Sequence, residues 1–232
     1  MPTDPLGNRI LARLPAHDLA RLRPSLQRVA LELKQVLCEP LAPLEYVYFP
    51  VRSMLSMIRV MRDGAAIEVA TVGNEGMAEM SLVLGEAVAA TRCMVQLPGP
   101  ALRMRADVLR AEINRNSPLR QLLSRYQSAY LKQVYQSVAC NGLHPIQQRC
   151  CRWLLLTHER FGPGEFPMTH EFLAEMLGVR QASVSLVLRS LAKARLIRND
   201  RGKIQILDLA RLEARSCECY RVVKEEFDLR LK

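Results

Sequence analysis

The chain has no uninterrupted run of 18 apolar residues, so no membrane-spanning helix is expected. Its start, Met1 to Leu14, carries Asp4 and Pro5 where a secretory signal would place a basic and then an apolar stretch, and the expected compartment is the cytoplasm. There is no Cys-x-x-Cys pair among the seven cysteines, Cys38, Cys93, Cys140, Cys150, Cys151, Cys217 and Cys219. An odd count in a cytosolic setting argues against a disulfide framework. Internal repeats and low-complexity segments are also lacking. Gly73-Asn-Glu-Gly76 reads as a turn, not a phosphate loop, because no helix follows a strand at the required spacing. No serine sits in a nucleophile elbow. Histidine is scarce, four in all, and the first hundred residues contribute only His17. A barrel enzyme that holds metal on several strand histidines and a glutamate, of the cupin kind, is thereby disfavoured. It remains an alternative, beside a module that uses its helices to bind protein. His158, like His17, reads as a surface residue.

What is present is a globular composition, with 49% hydrophobic and 24% charged residues over 232 positions, enough for one large domain or two small ones. The net charge is +10, and the halves before and after residue 143 carry +5 each. A narrower window is uneven. Between Val179 and Lys203 stand seven basic residues (Arg180, Arg189, Lys193, Arg195, Arg198, Arg201, Lys203) against the single acid Asp200. Charge concentrated in this way points to a polyanionic partner.

The hydrophobic period changes along the chain. A short helix over Asn8–Leu14 and a second from His17 precede a strand-rich stretch. Alternation marks Val29–Val36, Met54–Arg62 and Ala65–Val72, with Asp63-Gly64 as a hairpin turn between the last two. Tyr46–Phe49, Thr91–Leu97 and Ala101–Met104 add short strands, and together they predict a small barrel or roll. From Ala106 to Asn141 the period is helical. Pro118 suits the first turn of its main segment, Asn141-Gly142 suits its end, and the helix would be about 36 Å long. Its apolar series Leu119, Leu122, Leu123, Tyr126, Tyr130, Val134 and Val138 either packs within the chain or pairs with a second copy of itself. Pro145 opens a further helix, Ile146–Phe161, and Gly162-Pro163-Gly164 is a loop.

Residues 167–207 carry the functional signal. Thr169 suits a helix N-cap, and the helix runs through Phe172, Leu173, Met176 and Leu177. Gly178 supplies a sharp turn. A second helix from about Gln181 to Arg195 buries Val184, Val187, Leu188 and Leu191 and shows Gln181, Ser183, Ser185 and Arg189. Strand 196–198, turn 199–202 and strand 203–206 follow as a basic hairpin. Helix, turn, helix and hairpin together are a winged helix, which fits double-stranded DNA. Gln181, Arg180, Ala182, Ser183, Ser185 and Arg189 are the candidates for base or backbone contact in the major groove. Arg198, Arg201 and Lys203 on the wing, with Thr169 and His170 at the first helix start, are the candidates for phosphate.

The stretch 169–185, Thr-His-Glu-Phe-Leu-Ala-Glu-Met-Leu-Gly-Val-Arg-Gln-Ala-Ser-Val-Ser, with Arg-Leu-Ile at 195–197 and Arg-Gly-Lys-Ile at 201–204, resembles the Crp/Fnr family of bacterial transcription regulators. The order of roll, long helix and winged helix extends the resemblance over essentially the whole chain. It implies an α+β fold: an effector-sensing roll over residues 1–105, a connecting and dimerisation helix over 106–142, and a DNA-binding domain over 143–232. It also implies a homodimer paired along the long helix, through the series named above, and contact with RNA polymerase. The departures matter as much. The family's cyclic-nucleotide pocket has a Gly-Glu pair and then an Arg with a hydroxyl neighbour. Here Ala78 precedes Glu79, Ala89-Ala90 replace the Arg pair, and Arg92 lies three residues off, on the opposite strand face. Glu79 and Arg92 are the candidate effector contacts, but cyclic AMP is not the expected effector. The N-terminal cysteine cluster of the iron–sulfur branch is missing as well. Cys140, His144, Cys217 and Cys219 would make a Cys₃His site if the C-terminal segment folded back. Gly142 and Pro145 are expected to break the helix that aligns Cys140 with His144, and the reading is therefore no metal.

Overall fold

The computed structural model describes residues 7–115 and 117–231, so Asp4 and Pro5, on which the reading of the chain start rests, lie outside the described residues. After a single 3₁₀ turn at Leu11–Arg13, shorter than the helix expected over Asn8–Leu14, comes helix α1 (Ala16–Leu22). The roll is built from β1 (Gln27–Leu31), β2 (Val36–Cys38), β3 (Tyr46–Pro50), β4 (Met54–Val60), β5 (Ala66–Val72), β6 (Arg92–Leu97) and β7 (Gly99–Arg105). Two antiparallel sheets form it, in the orders β1-β7-β3 and β2-β6-β4-β5. The strand expected over Val29–Val36 is two strands in two sheets. Lys34 adopts a left-handed φ of 63° between them, which reverses the direction of the chain. Asp63-Gly64 does close the β4–β5 hairpin, where Met61 N–H donates to Ala65 at 2.8 Å.

Helix α2 (Ala106–Asn114) leads to α3 (Pro118–Leu143). Ser117 caps α3 by accepting from Arg120 N–H, and Pro118 needs no donor in its first turn. The helix runs straight through Asn141-Gly142 to Leu143, which makes it about 39 Å long. Pro145 sets the stop: it forces His144 into extended backbone (φ −106°, ψ 143°). Helix α4 (Ile146–Phe161), strand β8 (Glu165–Pro167), helices α5 (His170–Leu177) and α6 (Gln181–Lys193), and strands β9 (Ile197–Asp200) and β10 (Lys203–Ile206) make the winged helix. Its sheet has three strands in the order β8-β10-β9, one more than expected. Helices α7 (Leu209–Glu213) and α8 (Cys219–Arg230) complete the chain.

Helix α8 returns to lie along α3, where the Phe227 and Tyr126 rings stand 5.9 Å apart. Leu119, Leu122, Leu123 and Tyr126 are consequently buried in their own chain. Tyr130 and Val134 pack toward the roll interior, beside Leu55, Met57, Cys93 and Val95. Of the apolar series expected to pair two copies, only Val138 is open, at 68% exposure. The outward stripe is instead Gln121, Ser124, the half-buried Ser128, Leu131, Tyr135, Val138 and Gly142. These positions alternate steps of three and four, the 3.5-residue period of a paired-helix seam.

The roll and the winged helix, joined through α2 and α3, also touch directly. Arg160 on α4 forms an ion pair with Glu75 at 3.0 Å and donates to Thr71 and to Gln133, all of them buried. Gln133 on α3 donates in turn to the Thr71 carbonyl at 2.9 Å. Nearby, Trp153 Nε1 donates to Glu68 at 3.2 Å, and the Ser56 hydroxyl donates to the same carboxylate. Burial pushes the Glu68 carboxyl up to about 7, and Ser56, Arg152 and Trp153 moderate the rise. Among the described residues no helix is long and apolar enough to cross a membrane.

Candidate nucleic-acid interface

The two helices of the motif are positioned by a small apolar core. Val184, Val187, Leu188 and Leu191 of α6 are all buried, as are Phe172, Leu173, Met176 and Leu177 of α5. Gly178 between them takes φ +62°, a region that a side chain enters only under strain. A Cβ at that position would also stand 3.1 Å from Ile67 at the β4–β5 hairpin, so the turn is pressed against the roll.

The opposite face of α6 is bare. Arg180 occupies the N-cap position, Gln181 and Ala182 open the helix, and Leu186, Arg189, Ser190 and Lys193 follow, all exposed. Leu186, 62% exposed, belongs to this face although its apolar type gave no polar signal in the sequence. Ser183 is half-buried. Arg189 Nε donates to the Ser185 carbonyl one turn back at 3.3 Å, which leaves the rest of the guanidinium outward.

Ser185 and His170 behave differently from expectation. Asn199 of the wing donates its amide to His170 Nε2 at 2.8 Å, and Ser185 Oγ lies 2.9 Å from Nδ1. A neutral ring that accepts at Nε2 donates at Nδ1, so both nitrogens are used within the domain. His170 thus links the second helix to the wing and has no free nitrogen for a phosphate. Asn199 is a member of this link that no sequence signal marked. Thr169 caps α5 by accepting from Phe172 N–H at 3.1 Å, and its residue is exposed.

The wing turns on two residues, not four. Asp200 pairs with Lys203, and Arg201 and Gly202 have φ of 46° and 74°. Positive φ at both central positions is what a type I′ hairpin needs. Arg198, Arg201 and Lys203 are exposed. Arg198 donates across the wing to Gln205 at 3.1 Å, and Lys203 lies 4.0 Å from Glu165.

The candidate effector residues are not brought together. Glu79 is buried, with a left-handed φ of 71°, and the Cys38 thiol donates to it at 2.9 Å. Burial pushes its carboxyl upward. Arg92 instead pairs with Glu39 at 2.9 Å at the surface of the roll. His17 is an exposed partner of Asp18. Cys140, His144, Cys217 and Cys219 do converge, against expectation, because α3 is unbroken up to Leu143 and the segment before α8 folds back onto its end.

Comparison with known families agrees with this geometry. Residues 148–215 match the family model of the Crp-like helix-turn-helix domain. No curated protein matches the chain by sequence. Among solved structures, FixK2 from Bradyrhizobium japonicum superposes with a TM-score of 0.69 at 14% identity, over 83% of this chain and 98% of that one. A regulator of the Crp/Fnr family from Eubacterium rectale gives 0.66 at 17% identity, over 90% and 95%. A CRP-family transcriptional regulator from Thermus thermophilus gives 0.65 at 18% identity, over 82% and 96%. The class is therefore a winged-helix protein with a β-roll, of the α+β Crp/Fnr fold. Within that fold, residues 148–215 are similar to the Crp-like helix-turn-helix domain.

Proposed function

We propose that the protein acts as a homodimer that binds a specific double-stranded DNA site through α6, without catalytic activity, and that the state of its roll biases this binding. The bare face of α6 carries the reading. Its first turn presents Arg180, Gln181 and Ala182 with the helix N-terminus free, which is the end that reaches base edges in helix-turn-helix complexes. Gln suits adenine and Arg suits guanine, each by a two-bond contact. Ala182 and Ser183 are small enough for close approach. Arg198, Arg201 and Lys203 would add phosphate contacts.

In this reading residues 1–105 sense, 106–142 connect, and 143–232 bind DNA. Two copies pair along Leu131, Tyr135 and Val138, the exposed large apolar residues that share the outward stripe of α3. The dimer presents two α6 helices to successive major grooves, so the site is a palindrome. Contact with RNA polymerase belongs to the same reading. Glu79 and Arg92 remain effector candidates as separate positions, one inside the roll and one on its surface. Selection of bound duplexes from a random pool tests the proposal. One palindromic site should be enriched, and Arg180→Ala with Gln181→Ala should erase the preference while leaving salt-sensitive binding. Retained preference in that variant would show that α6 does not read the bases.

A further inference from the structure

We propose that Cys140, His144, Cys217 and Cys219 form a tetrahedral zinc site that clamps the end of the long helix to the segment following the wing. Their ligand atoms all lie within 4.8 Å of one another. The Cys140 and Cys217 sulfurs are 3.6 Å apart, and Cys219 Sγ is 3.5 Å from His144 Nδ1. With zinc–sulfur bonds near 2.3 Å and zinc–nitrogen bonds near 2.0 Å, the edges of a tetrahedron are about 3.5–3.8 Å. Those two edges already stand at that spacing, and with no separation above 4.8 Å the others need close by only about 1 Å. An iron–sulfur cubane spreads its ligands wider than this. A set of three thiolates and one imidazole selects zinc among the common divalent ions.

The three cysteines are not filler in the main core. They form a cluster of their own, separate from it. The surroundings also fit a metal. Gln136 Nε2 donates to Cys219 Sγ at 3.0 Å, and Glu218 lies 3.3 Å from His144 Nε2. A carboxylate on Nε2 holds the proton there and leaves the Nδ1 lone pair facing the sulfurs, as outer-shell partners of zinc histidines do. Zinc with three thiolates and a neutral imidazole carries one net negative charge. Arg149 and Arg152, buried on α4 with unpartnered Nε atoms, lie close enough to Cys140 to offset it. Cys140 and Cys217 are 77 residues apart, and the winged helix lies between them. The metal would thus fix both ends of the DNA-binding domain to one point.

The full-length protein, purified in reductant from zinc-supplemented cells, should carry one zinc per chain by elemental analysis. Exchange with cobalt(II) should give a thiolate charge-transfer band and the visible envelope of a tetrahedral site. Cys219→Ser should lose both signals. In case that variant folds poorly, Gln136→Ala leaves every ligand in place. Its zinc affinity, measured by competition with a chromophoric chelator, should fall about 10–100-fold. Folded, reduced wild-type protein with only trace zinc and no cobalt charge-transfer band would overturn the proposal. So would stoichiometric zinc in the Cys140→Ser, Cys217→Ser double variant. A native mass lower by two hydrogens, with Cys140 linked to Cys217, would also overturn it and assign a disulfide instead.

Discussion

Replacing Glu68 with Gln isolates the energetics of the contact between roll and winged helix. The carboxyl is pushed from its ordinary 4.5 to about 7, chiefly by burial, while the Ser56 and Trp153 donors and the α4 cations Arg152 and Arg160 pull the other way. The folded state therefore holds this proton more tightly than the unfolded state. Below pH 4.5 both are protonated and the site is neutral in its effect. Between 4.5 and 7 the folded protein binds more protons, so stability falls as pH rises. Above 7 the full cost, about 3 kcal/mol, is present. Glutamine keeps an acceptor for Trp153 but has no proton to lose. Any packing cost it brings is the same at every pH and drops out of the slope. Between pH 5 and 8, stability of the variant relative to wild type should rise by about 2.5 kcal/mol. Urea denaturation of both proteins, at fixed ionic strength and fixed chain concentration, measures this difference directly. A constant difference across that interval would refute the argument and mean that water reaches the carboxylate in the folded protein.

Three further outcomes are expected. Arg198→Ala with Lys203→Ala should weaken specific and random duplexes alike, and the slope of log affinity against log salt should shrink by about 4, two phosphate contacts being lost in each copy of the dimer, as fluorescence anisotropy over a salt series would record. Loss confined to the specific duplex would contradict a phosphate role for the wing. Leu131→Glu with Val138→Glu should give a folded monomer by sedimentation, whereas Leu123→Ala should cost about 2–5 kcal/mol of stability without altering assembly. Gly76→Ala should destabilise by about 1–3 kcal/mol in urea, because its Cβ would lie 2.2 Å from the Tyr126 hydroxyl. An unchanged midpoint would mean that the Tyr126 ring is free to move.

The readable parts of the chain are those in which a local rule and the tertiary setting agree. Asp63-Gly64 makes its hairpin, Gly178 makes its turn, and Val184, Val187, Leu188 and Leu191 are buried as their spacing requires. The unread parts are set by distant contacts. Gly142 looked like a helix end, since glycine costs about 1 kcal/mol relative to alanine in a helix. The last turn nevertheless persists, held by the contacts of Cys140 with Cys217, and Pro145 makes the break three residues later. The exposed face of α3 is not legible from spacing because the helix has apolar residues on more than one side. Only the position of α8 against Tyr126 shows which side is left open. His170 and Asn199 meet across 29 residues, a distance no local pattern spans.

The Arg160 contact has a consequence for how this protein can vary. One guanidinium from α4 engages a strand of the roll, the turn after it and the long helix at once. A change at Glu75 leaves a buried cation unmatched in the other half, and one at Thr71 removes an acceptor from it, so the two halves are coupled at this point. Grafting residues 143–232 onto a foreign roll would import the arginine without its three acceptors. Exchange of the two halves between relatives therefore succeeds only when positions 71, 75, 133 and 160 travel as a set.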